Sequence, residues 1–385
     1  MTQEIHGTVA DGFEAVREEF AAVAAGERPD HESQLCVHVH GRRVVDLWTG
    51  GIGPDTLYGV HEATQGATFL VVAVLVQDGT LELDRKVTYY WPEFAAEGKG
   101  ALTLRDLVTH RAGVVGTDGG FTLAELADDR ALAERLADQR PLWRAGAACG
   151  SHPLVIGALV GEVVRRATGH RLQEVYEERI RAPYALDFHL GLPASQEPRF
   201  RSVQPLVPTP AEQVRLDALP TGPHTLRAIA LNHGATGPAG PAGPVLLPNE
   251  RLIRAAGQAS VGGVASARGL AGLYAAAISG TEEHEPLLKA DTIAEVGQLH
   301  ACGRDPVTGE HTAFGLGFRA VADVWYRFLG AGAFGQAGDA GSLAFADPRS
   351  GLAYGFTRRR CAFPGGPAPE NERLVRAAHR AALAR

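Results

Sequence analysis

The run Phe69-Leu70-Val71-Val72-Ala73-Val74-Leu75-Val76 constrains this chain more than any other segment. Eight consecutive apolar residues leave no face for water, so a helix that carries them has to be covered on every side. The run is well short of the ~20 residues that span a bilayer, which places it in a folded core. The spacing predicts a buried helix over about residues 63–77. Upstream, Asp55-Thr56-Leu57-Tyr58-Gly59-Val60 reads as the end of a short strand, and His61-Glu62-Ala63-Thr64-Gln65-Gly66 as the helix start. Unpaired N–H groups and the helix dipole favour a carboxylate such as Glu62 there. Gln65, three residues on, shares its face.

This strand end running into an apolar helix resembles the nucleophile segment of the serine β-lactamase, penicillin-binding-protein and EstB-type esterase superfamily, in the branch related to class C β-lactamases. In that family the helix opens with Ser-x-x-Lys, whereas the two positions here read Glu62 and Gln65. Further segments match in the family's order. They are Leu102-Thr103-Leu104-Arg105-Asp106-Leu107-Val108-Thr109-His110-Arg111-Ala112-Gly113, Gly157-Ala158-Leu159-Val160-Gly161-Glu162 and Gly341-Ser342-Leu343-Ala344-Phe345-Ala346-Asp347-Pro348. The family's Tyr-x-Asn element aligns with Ser151-His152-Pro153, and its Lys/His-x-Gly element with Gln336-Ala337-Gly338. No Ser-x-x-Lys occurs elsewhere. The only lysines, Lys86, Lys99 and Lys289, are preceded at i−3 by Leu83, Ala96 and Pro286. The resemblance thus implies the family scaffold with degenerate forms of all three motifs.

Periodicity gives a coarse layout. Helical spacing covers residues 11–26, 266–278 and 370–384, and alternation over residues 35–48 reads as a hairpin around His40-Gly41-Arg42-Arg43. Further strands are expected near residues 315–321, 325–329, 341–346 and 352–357. Gly234-Ala235-Thr236-Gly237-Pro238-Ala239-Gly240-Pro241-Ala242-Gly243-Pro244 is a Gly-x-y run too short for a triple helix, and reads as a loop near the pocket rim. The resulting expectation is α+β, two-lobed: an antiparallel sheet flanked by helices plus an all-helical lobe, β-lactamase/transpeptidase-like. One domain spans residues 1–385, with the sheet lobe about 1–60 and 310–385 and the helical lobe about 61–309.

A chain of 385 residues with 45% hydrophobic content can build a large core. A net charge of −7 offers no basic stripe for phosphates, so no nucleic-acid partner is expected. The N-terminus Met1-Thr2-Gln3-Glu4-Ile5-His6 shows no basic-then-apolar signal pattern. With no membrane span either, a cytoplasmic location is expected. Cys36, Cys149, Cys302 and Cys361 are widely and irregularly spaced, as reduced thiols are. His38-Val39-His40 would put two imidazoles on one strand face, but no third ligand accompanies them, and neither a metal nor a cofactor is expected.

The candidate catalytic residues are Glu62, His61 and His152. Glu62 would act as general acid or base, and the two histidines titrate near neutrality. The candidate substrate-binding residues are Gln65, Ser151, Gln336 and Asp339. The last two flank a strand whose backbone N–H groups could bind an oxyanion whatever the side chains. His110 and His189 read as framework hydrogen-bonders. Three functions stay open. The first is a repurposed biosynthetic enzyme that performs non-acylating acid/base chemistry (cyclisation, isomerisation, elimination or water addition) on a small molecule. The second is a pseudoenzyme that binds a small molecule or a partner, and the third is a serine hydrolase or esterase with its nucleophile relocated to Ser151. The expectation follows the first, because polar residues replace the family's reactive groups.

Overall fold

The computed structural model describes residues 4–219, 222–233, 244–281 and 284–384. Its strands are Ile5–Val9 (β1), Ser33–Val39 (β2), Arg42–Thr49 (β3), Tyr58–Gly59 (β4), Phe188–His189 (β5), Val264–Ala265 (β6), Ala301–Arg304 (β7), His311–Phe314 (β8), Arg319–Ala320 (β9), Phe334–Ala337 (β10), Leu343–Asp347 (β11) and Leu352–Arg358 (β12). Nine of them form one sheet in the order β1-β3-β2-β12-β11-β10-β9-β8-β7, while β4, β6 and β5 make a small second sheet. All pairings between these strands are antiparallel. The fold is the expected mixture of an antiparallel sheet with many helices.

Alternation along the central strands sorts two cores. Ala344, Ala346 and Ala353 face the large core that also holds the helix Thr64–Gln77. Leu343, Phe345, Leu352, Tyr354 and Phe356 face the other core, with Phe20 and Val375 from the helices Glu14–Gly26 and Asn371–Leu383. Every residue of β12 is buried because both faces are covered. The helix Thr64–Gln77 is buried continuously from Thr64 to Leu75. Its valines are indifferent helix formers, but each buried Val, Leu or Phe side chain contributes roughly 1.5–3 kcal/mol, and that burial outweighs propensity.

Two expectations fail locally. Residues 325–329 form no strand: a short helix, Val321–Val324, leads into turns that bury Tyr326 and Leu329, spaced i and i+3, in the core. Short apolar runs do not distinguish helical from extended spacing, and the next strand, β10, comes only at Phe334. His40 sits in the β2–β3 turn with φ +48°, so it does not share a strand face with His38. The Gly-x-y loop lies outside the described residues, apart from Pro244. Among the described residues no helix is long and apolar enough to cross a membrane.

A buried carboxylate ties the large sheet to the small one. Glu32, at the head of β2, accepts hydrogen bonds from Tyr58 of β4 (2.9 Å), Arg201 (2.6 Å) and Arg359 (3.1 Å).

Candidate active site

The segment before the buried helix is a single 3-10 turn, His61–Ala63, whose first residue has φ +52°. A left-handed histidine is a strained conformation that the surroundings must hold in place. Those surroundings are the β10–β11 turn. Gly338 packs so closely that a Cβ there would stand 2.2 Å from the Val60 carbonyl oxygen, and Ser342 Oγ donates to that same oxygen at 3.0 Å. The contact brings the Asp339 N–H to Glu62 Oε2 at 2.9 Å. The Glu62 carboxylate also takes up its own backbone N–H. Two amides therefore converge on one carboxyl group, as they would on an oxyanion. Burial and the neighbouring Asp339 carboxylate push the Glu62 carboxyl up, to about 8, against the pull of those two N–H groups.

Gln65 Nε2 donates to the Pro153 carbonyl at 3.2 Å, which fastens the loop Ser151-His152-Pro153 to the helix. Ser151 is buried. Its Oγ donates to Asp305 Oδ2 at 2.5 Å, its backbone N–H donates to the same oxygen at 2.9 Å, and Arg319 Nη2 donates to Oγ at 3.0 Å. Asp305 is held by the β7–β8 turn, where its other oxygen accepts from the Val307 N–H at 2.8 Å. Arg319 lies 4.4 Å from the centre of the Phe314 ring and also donates to Thr312 Oγ1. Among the described residues it makes no ion pair within 4.0 Å. Burial pulls its pKa down, and Asp305, Cys149, Glu62 and Asp339 oppose that pull. This guanidinium is bonded to Ser151 and feels the charge of Glu62.

Glu62, Gln65, Ser151 and Asp339 thus meet, with Asp305 and Arg319 as members that sequence reasoning missed. Asp305-Pro306-Val307-Thr308-Gly309 is legible as a turn, but nothing local says that it abuts a serine 154 residues away. Arg319 follows Phe314-Gly315-Leu316-Gly317-Phe318, and no motif marks it. Gln336 is turned away, its amide bound to the Gly317 carbonyl at 3.2 Å. His61 is buried beneath Gly338. Among the described residues His152 makes no hydrogen bond to Ser151 Oγ: its Nδ1 is bound to the Gly150 carbonyl at 2.6 Å, and burial pushes it down to about 4. His110, also pushed down by burial, lies beside it with ring centroids 5.4 Å apart. Among the described residues no three His, Cys, Asp or Glu side chains are grouped to hold a metal ion. A separate groove of about 730 Å³ is lined by His38, Arg43, Asp187, Arg199 and Arg268, and shares no residue with this site.

A sequence model of the Beta-lactamase family matches residues 24–368. The chain belongs to the β-lactamase family. The structure of EstA from Arthrobacter nitroguajacolicus Rue61a superimposes with a TM-score of 0.89 at 38% identity, covering 100% of this chain and 99% of that one. A family VIII carboxylesterase gives a TM-score of 0.83 at 30% identity, covering 98% and 100%. The esterase/beta-lactamase LipL of Mycobacterium tuberculosis (strain ATCC 25618 / H37Rv) is 28% identical over 386 residues, 94% of this chain and 84% of LipL.

These relatives overturn the expectation of a nucleophile-free biosynthetic enzyme with non-acylating acid/base chemistry. Two of these relatives are named as esterases, the family VIII carboxylesterase at 30% identity and LipL at 28%, and the family match sets this chain in the β-lactamase-like serine hydrolase superfamily. Position 62 carries no hydroxyl, and Ser151, the third possibility in the sequence, gains weight only once folding sets it against a carboxylate and a guanidinium.

Proposed function

We propose that this protein hydrolyses small carboxylic esters through an acyl-enzyme on Ser151. One observation carries the reading: a buried serine hydroxyl, in a chain of esterase kinship, bonded at once to Asp305 (2.5 Å) and Arg319 (3.0 Å). A serine hydroxyl is a weak nucleophile until a neighbouring base takes its proton. In acylation the Oγ–H proton passes to Asp305 Oδ2 while Oγ forms the bond to the ester carbon. The positive charge of Arg319 stabilises the negative charge that develops at the carbonyl oxygen. Collapse breaks the bond to the alkoxide, which leaves with the proton from Asp305 as the alcohol. The serine is neutral before and after, so no further reactant is needed until water releases the acid. Glu62 has another part, because its carboxylate already fills the paired amides and is not free to attack.

The test is a p-nitrophenyl acetate and butyrate assay alongside labelling with a fluorophosphonate. Wild type should turn over the esters and carry the probe on Ser151 by peptide mass spectrometry, and Ser151→Ala should lose both. An unlabelled, inactive wild type would leave a protein that binds without reacting. Activity unchanged in Ser151→Ala would refute the assignment.

A further inference from the structure

The hydrogen bonds around His110 and His152 decide which ring nitrogen of each carries the proton. The His152 backbone N–H donates to His110 Nδ1 at 3.2 Å, so that nitrogen is an acceptor, and the proton of neutral His110 sits on Nε2. His152 Nδ1 lies 2.6 Å from the Gly150 carbonyl oxygen, which can only accept, so the proton of neutral His152 sits on Nδ1. What remains is one donor, His110 Nε2–H, and one acceptor, His152 Nε2. Both atoms are buried, and neither finds a partner among the described residues. Burial keeps both rings neutral, so these tautomers persist. Buried polar atoms of this kind are rarely left unpaired.

The arrangement is also held under strain. His110 has φ +60°, a left-handed backbone pinned because the Gly150 N–H donates to its carbonyl oxygen at 3.0 Å. Its ring is stacked on Phe314 at 4.5 Å and set edge-on to Phe69. The Trp143 ring meets His152 edge-on at 5.7 Å. Residues outside the common backbone regions persist where the surroundings over-determine them, and such places are often functional. The two ring centroids lie 5.4 Å apart, with the ring planes tilted by 50°. His152 directly follows Ser151 in the chain.

We propose that His110 and His152 hold between them the water that deacylates Ser151. The inference rests on the Ser151 acyl-enzyme read above. His110 Nε2–H donates to the water oxygen, and the water donates to His152 Nε2. In the step itself His152 Nε2 takes a proton from water as the oxygen forms its bond to the acyl carbon. The Ser151 Oγ–acyl bond then breaks, and the proton on His152 returns to Oγ as the acid leaves. His152 touches the reacting water and is catalytic; His110 orients it.

Asparagine mimics the Nδ1 side of each ring and lacks the Nε2 side, which makes the test specific. In stopped-flow p-nitrophenyl butyrate hydrolysis, wild type should release one equivalent of nitrophenol and then turn over. His152→Asn should keep a burst near one equivalent while the following rate falls about 10²-fold or more, and mass spectrometry should find butyryl-Ser151 accumulating. His110→Asn should show the same pattern with a smaller loss, about tenfold. A second readout needs no variant: nitrogen-15 NMR of histidine-labelled wild type should find His110 protonated at Nε2 and His152 at Nδ1. A His152→Asn acyl-enzyme that clears at the wild-type rate, or a His152 protonated at Nε2, overturns the inference while leaving Ser151 in place. Absence of butyryl-Ser151 from both wild type and His152→Asn, read by mass spectrometry, removes the Ser151 reading and the deacylation step with it.

Discussion

At Glu62 a carboxylate stands where a developing oxyanion would be expected, held by two backbone amides and close to a second carboxylate. The amides favour the charged form, whereas burial and Asp339 favour the neutral one, and the second pair wins because desolvation in a low-dielectric site is the larger effect. The consequence for stability has a definite sign. The folded pKa, about 8, lies above the ordinary carboxylate value of 4.5, so the folded state holds its proton longer than the unfolded chain does. Stability from this group is therefore complete below about pH 4.5 and is lost as pH rises towards 8. Glu62→Gln keeps an acceptor for the Asp339 N–H but cannot ionise. Its melting temperature should match wild type near pH 4.5 and exceed it increasingly up to pH 8. A constant offset across that range, read by calorimetry, would mean that Glu62 is not held neutral.

The β10–β11 turn is the element that makes the site, and glycine at 338 is what lets it approach. An added Cβ would meet the Val60 carbonyl at 2.2 Å, Ser342 Oγ at 2.7 Å and His61 Cβ at 3.0 Å. The first two positions belong to the clamp that sets the Asp339 N–H against Glu62, so the turn has to back away. Gly338→Ala should cost about 1–3 kcal/mol, the usual range for forced overpacking. The loss should show as a lower urea midpoint with unchanged slope. The spacing of the motif Gln336-Ala337-Gly338 identified this turn in the sequence. The same spacing did not show that Gln336 would be bound to Gly317 and turned from the cleft. Side-chain direction at a strand end depends on the neighbouring strand, and β9 is too short to read from periodicity.

Across the whole molecule, Glu32 links the head of the large sheet to the small sheet through Tyr58, and to the segments at Arg201 and Arg359. Leucine at this position would leave two arginines and a tyrosine without their acceptor. Because Arg201 and Arg359 keep some solvent contact, the loss in Glu32→Leu should be about 2 kcal/mol, less than the roughly 3–5 kcal/mol of a fully buried pair. Chemical unfolding of the variant measures it, and a change near zero would show that water replaces the carboxylate without cost.

The sequence alone determined the buried helix, the β2–β3 hairpin, the terminal helices and the family scaffold. Each rests on a local pattern: an unbroken apolar run, alternation, 3.6-residue spacing, or motifs in order. It also named Glu62, Gln65, Ser151 and Asp339, all of which meet in the site. Only the tertiary structure decided their chemistry. Ser151 acquires its hydrogen-bond acceptor from Asp305, 154 positions later, and its cation from Arg319, 168 positions later. The protonation of His110 and His152 follows from hydrogen bonds that exist only once residues 110 and 152 are in contact. Secondary structure is written in neighbours along the chain, whereas reactivity depends on which charges and hydrogen-bond partners folding sets within ~3 Å of one oxygen.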